Sequence, residues 1–101
     1  CLNSAKESSG GLIAVSDEQI LAAIRHMAAT TGVMAEPAGA VALAGASKMA
    51  EEGLLKARDR VAIMVTGNGL KDIASVRSAA GAAPVLVEPS LDDVEQILKP
   101  A

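Results

Sequence analysis

The sequence contains no Phe, Trp or Tyr among its 101 residues. Base stacking on aromatic platforms is thereby excluded as a mode of nucleic-acid binding. Any core must be built from Ala, Val, Ile, Leu and Met, whose small side chains bring helices and strands close together. Cationic charge is scarce too: 9 Lys+Arg stand against 12 Asp+Glu, for a formal net charge of -3. A nucleic-acid footprint would be basic, so no such partner is expected. The single cysteine, Cys1, excludes an internal disulfide and a Cys-rich zinc site. Apolar stretches such as residues 38–46 fall far short of the roughly 20 residues that span a bilayer, so no membrane is expected either. The opening residues are polar, do not begin with Met and carry no signal-peptide pattern. The chain reads as a soluble, reduced, cytoplasmic protein, one domain at most, and as cut from something longer.

What is present alternates between short apolar runs and helical periodicity. Residues 1–11 are Ser- and Gly-rich and read as a loop with little core of its own. Residues 12–15 (Leu-Ile-Ala-Val) are too short for a helix and read as a strand. Ser16 follows as an N-cap, with Gln19 completing a capping box and Gly32 as the left-handed stop of the helix between. Residues 33–35 are a brief extended approach to a second helix that starts at Pro37, where the missing N–H does no harm, and stops at Gly53. Its body is nearly all Ala, Gly, Val and Leu, which predicts burial on most sides. Gly39 and Gly45 each weaken it by about 1 kcal/mol relative to Ala, which implies a close approach by another backbone or a flat ligand. Residues 61–66 show no alternation and read as a strand covered on both faces, as in a parallel sheet. A short helix over 71–78, a strand over 84–88 and a final helix capped by Ser90, with Leu91, Val94, Ile97 and Leu98 inward, complete an α/β layered order. There is no internal repeat.

In open α/β sheets ligands bind beyond the carboxyl ends of the strands. Two segments qualify. Glu36-Pro37-Ala38-Gly39 places a carboxylate at a helix start, where backbone N–H groups concentrate positive potential. Thr66-Gly67-Asn68-Gly69 offers a hydroxyl and several N–H groups at a strand end. A plain first-turn acid and a plain turn are the competing readings, and an anion nest is a third for the turn. It is not a Walker motif, because the glycine–lysine spacing is absent. His26 has no companions at metal-ligand spacing, so no metal site is assigned. The four Met are core filler, and no serine has a base nearby in sequence.

Together the run Glu36-Pro37-Ala38-Gly39-Ala40-Val41-Ala42-Leu43-Ala44-Gly45 and the run Val65-Thr66-Gly67-Asn68-Gly69-Leu70-Lys71-Asp72 resemble the C-terminal part of the threonine synthase family, within the fold type II pyridoxal-phosphate enzymes. The first run is shared with threonine and serine dehydratases; the second is the more specific, since dehydratases usually carry a Ser-Gly-Gly-Asn type sequence there. The resemblance extends over nearly all of residues 1–101. It implies a C-terminal portion of a catalytic domain with parallel-type strands flanked by helices, incomplete as it stands. It implies pyridoxal 5'-phosphate as cofactor and conversion of O-phospho-L-homoserine and water to L-threonine and phosphate. By the same resemblance Thr66 meets the pyridine nitrogen with a hydroxyl that cannot force ring protonation as an Asp would, which makes the ring a tempered electron sink. Gly67 lets the backbone pass close to the ring, Asn68 and Gly69 shape the turn, and Glu36 lies near the cofactor's edge. The family's Schiff-base lysine lies in a Phe-containing segment upstream, as does its phosphate-gripping loop. No catalytic residue is therefore assigned here; Lys71 belongs to a different motif and Lys48 is mid-helix. The implied partners are a small-molecule substrate, the remainder of the parent enzyme and a second copy in a homodimer, and this chain alone is expected to be inactive. The alternatives are a piece of a dehydratase-like enzyme and a noncatalytic α/β module that binds a small anion or a partner chain.

Overall fold

In the computed structural model, residues 2–98 are described; Cys1 and the last three residues lie outside them. The longest helices form where the pattern places them. Ser16 caps the helix Asp17–Thr31 with both arms of a capping box: its hydroxyl accepts from Gln19 N–H and its own N–H donates to the Gln19 side chain at 2.9 Å. Gly32 ends it at φ 73°. The helix Pro37–Glu51 follows, with Gly53 at φ 72° beyond its end. Among the described residues three shorter helices complete the set: Leu2–Glu7, Ile73–Ala80 and Leu91–Leu98. In chain order these are α1 (Leu2–Glu7), α2 (Asp17–Thr31), α3 (Pro37–Glu51), α4 (Ile73–Ala80) and α5 (Leu91–Leu98), with a 3-10 turn at Gly69–Lys71.

The core lies where α2 packs on α3 and α4. Its buried members are Ala23, Ile24, Met27, Ala35, Ala40, Ala44 and Ala79, with Val15, Ile20, Leu21, Leu43 and Ile63 against them. So many alanines permit close approach but bury little area apiece. Arg25 adds a polar tie: its Nε–H donates to the Ala79 carbonyl at 2.6 Å, satisfying an end group of α4 with a cation where the helix dipole favours one. Lys48 likewise donates to the Ala14 carbonyl at 2.7 Å and pins residues 12–15 along α3.

Several expectations need correction. Residues 2–7 are helical rather than loop, since Leu, Ala, Lys and Glu are good helix formers. α3 is buried along one stripe, Gly39, Ala40, Ala44 and Gly45, while Val41 is exposed. The short helix expected over 71–78 begins later, because the 3-10 turn comes first and Asp72 caps α4. The parallel sheet is not formed among the described residues, where an isolated bridge is the only β pairing. Residues 12–15 do alternate, with Ile13 and Val15 turned inward, but no backbone bond joins them to residues 61–66. Residues 61–66 touch the helical layer through Ile63 and leave Val61, Met64 and Val65 exposed instead of covered on two faces. Residues 84–88 are irregular, and Leu86 is 96% exposed. On α5, capped by Ser90 as expected, no residue is buried, so its apolar stripe faces outward. For residues 61–66, residues 84–88 and α5 the physical reason is shared: an apolar run states that a segment needs cover, and here no neighbour supplies it.

Candidate functional site

The two segments singled out from the sequence meet. Ala35 and Asn68 form an antiparallel bridge. Across it the Glu36 N–H donates to the Gly67 carbonyl at 3.1 Å, and the Gly69 N–H donates to the Met34 carbonyl at 2.9 Å. The entry to α3 and the turn after residues 61–66 are thus one structure on one rim.

Glu36 is the N-cap residue of α3, extended at φ -72° and ψ 164°, yet its side chain makes no cap bond. Its carbonyl accepts from Gly39 N–H at 2.9 Å and Ala40 N–H at 3.0 Å. The carboxylate crosses instead to the turn, where a Cβ added to Gly67 would fall inside it. The room that Gly67 leaves is therefore taken by Glu36, a neighbour the sequence did not name for it. Gly39 has the expected explanation: a Cβ there would stand 2.8 Å from the Gly67 carbonyl oxygen, so two backbones do approach closely. At Gly45 a Cβ would meet a side chain instead, that of Ile13, at 3.3 Å.

Thr66 is exposed at the end of its extended segment. It lines an open groove of about 340 Å³ with Val33, Met34, Val65, Gly67 and Asn68. The Asn68 side chain turns back to accept from Leu70 N–H at 2.9 Å, which fixes the 3-10 turn as a turn-shaping Asn does. Lys71, at the end of that turn, brings its Nζ to 3.5 Å from Glu36 Oε1. Next to it, Asp72 accepts from Ser75 N–H at 3.0 Å and from the Ser75 hydroxyl at 2.6 Å. Those bonds to Ser75 hold the Asp72 carboxyl below the usual aspartate range. The Lys71–Glu36 pair was not foreseen, and nothing in sequence spacing signals a contact made across a bridge. His26 stands exposed on α2, and among the described residues no group of three or more His, Cys, Asp or Glu gathers as a metal site. No helix among them is long and apolar enough to cross a membrane.

Comparison with known proteins gives this geometry a context. Residues 1–67 match a family described as pyridoxal-phosphate dependent enzyme. A threonine synthase of Methanocaldococcus jannaschii is 39% identical over 94 residues, which cover 91% of this chain and 23% of that protein. One of Bacillus sp. (strain ULM1) is 46% identical over 71 residues, 70% of this chain and 20% of that protein. One of Mycobacterium tuberculosis (strain H37Rv) is 40% identical over 85 residues, 83% of this chain and 24% of that protein. The chain spans about a quarter of the length of the curated relatives it matches.

Proposed function

This chain belongs to the pyridoxal-phosphate dependent enzyme family, and from that premise we propose that residues 1–101 are the C-terminal portion of the catalytic domain of a threonine synthase. The reaction proposed is the conversion of O-phospho-L-homoserine and water to L-threonine and phosphate. The observation that carries this reading is the bridge that sets the Thr66–Asn68 turn against Glu36 on one rim. The groove suits a flat heteroaromatic ring: Val33, Met34 and Val65 offer apolar contact, and Thr66 stands exposed at its lip with a hydroxyl. When bound there, the cofactor supplies an electron sink for carbanion chemistry.

The chain's own residues act by position. Thr66, in this reading, offers its hydroxyl to a ring nitrogen as a neutral partner that neither demands nor forbids a proton on it. Asn68 keeps the turn in shape through its bond to Leu70 N–H. Glu36 stands at the cofactor's edge, and Gly67 leaves the room in which its carboxylate lies. The remaining parts belong to the rest of a cytoplasmic homodimeric enzyme: the lysine that holds the cofactor, the phosphate loop and the strands that pair with residues 12–15 and 61–66. Without them this chain is inactive.

Thr66→Val in the complete enzyme tests the reading, since it keeps the shape and removes the hydroxyl. Threonine formation falls by at least tenfold while the enzyme still folds and takes up pyridoxal phosphate. Unchanged turnover removes Thr66 from the site. Borohydride treatment of this chain with pyridoxal phosphate gives no stoichiometric lysine adduct, and specific labelling of Lys71 overturns the assignment of the anchoring lysine elsewhere.

A further inference from the structure

Glu36 and Lys71 differ sharply in environment: the glutamate side chain is 19% exposed and the lysine 65%. A carboxylate that withdrawn from water needs a cation or donors, or it turns outward. The helix start does not supply them, because the Glu36 side chain makes no cap bond. Asp72, the other acid beside Lys71, is committed to Ser75 through both oxygens. The Lys71 ammonium is thus left to Glu36, and the pair at 3.5 Å closes across the same bridge that the two backbone bonds make. From this arrangement we infer that Lys71 is a positioning residue, which holds the Glu36 carboxylate down on Gly67 so that the start of α3 and the Thr66–Asn68 turn form one rigid, charge-balanced wall.

The latch rests on the geometry alone; its purpose, to steady the wall of a cofactor groove, rests on the function proposed above. An ion pair with one partner exposed shifts a local equilibrium by about a few-fold, so it selects a conformation and does not hold the fold together. Removing the lysine charge leaves a carboxylate without its cation next to Thr66. Lys71→Arg retains the charge and therefore the latch.

Two measurements separate the latch from its purpose. The first is amide hydrogen exchange in the complete enzyme at the Glu36 and Gly69 N–H groups, which donate across the bridge. Lys71→Gln speeds exchange at both by about two- to fivefold, Lys71→Arg restores it, and Glu36→Gln adds nothing to Lys71→Gln. Amides of α2 serve as the unaffected reference. No change in Lys71→Gln, or additive effects of the two substitutions, overturns the latch. The second is the absorption spectrum of pyridoxal phosphate bound to the complete enzyme, which Lys71→Gln alters and Lys71→Arg returns to the wild-type form. An unaltered spectrum with responsive amides overturns the positioning role, whereas a wild-type enzyme that binds no pyridoxal phosphate overturns the proposed function and leaves the latch standing.

Discussion

Gly67 and Gly39 are required for room, not for torsion: neither has a positive φ, and each faces a neighbour where a side chain would stand. Gly67→Ala drives a methyl into the Glu36 carboxylate, which must swing away and release Lys71. Loss of exchange protection at the Glu36 and Gly69 amides reads that outcome directly, and full retention contradicts the packing described. At Gly39 the neighbour is backbone, so relief is harder. Gly39→Ala separates α3 from the turn at a cost of about 1–3 kcal/mol, typical of overpacking, seen as faster exchange along the first turn of α3. Asp72 illustrates a third residue-scale effect. Its bonds to Ser75 lower its folded pKa, so its stabilisation of α4 is fully present above the ordinary aspartate value of about 3.9. That contribution is lost as pH falls through the lowered value. Acid therefore frays α4 through Asp72, and Asp72→Ala frays it at neutral pH, both readable at the Ser75 and Val76 amides.

Among the elements, those set by local chemistry were legible and those set by partners were not. The capping box at Ser16 and the left-handed Gly32 involve atoms a few residues apart, so the sequence alone specifies α2. Ser16→Ala is accordingly expected to weaken the start of α2 by about 1 kcal/mol, measured as increased exchange at the Gln19 and Ile20 amides. The same locality revealed Pro37 and Gly53 at the limits of α3 and Ser90 before α5. Residues 61–66 carry an equally clear apolar signal, but a strand exists only when a second chain segment pairs with it, and no local atom records whether one is present. Of the candidate site, Glu36, Thr66, Gly67 and Asn68 were legible as two motifs. Their junction and the part played by Lys71 were not, because the bridge at Ala35 and Asn68 joins positions that no spacing rule connects.

For the whole molecule the consequence is exposed apolar surface. A radius of gyration of 17.8 Å is well above the roughly 13 Å of a compact 100-residue domain. The core is dominated by alanine, and among the described residues Ile24 and Met27 are its large buried side chains. Meanwhile Leu12, Met64, Leu70, Leu86, Leu91 and Leu98 are each at least 69% exposed. Such a surface is stable in water only when covered, and unpaired extended edges invite pairing with another copy. The isolated chain is therefore expected to sediment as associated species at micromolar concentration, or to melt without a sharp transition. Charged substitutions at Met64 and Leu86 together shift it toward monomer if the exposed runs drive the association. A wild-type monomer that unfolds in one sharp, reversible step contradicts this, because it shows that the α2–α3–α4 core alone outweighs the conformational entropy of the chain.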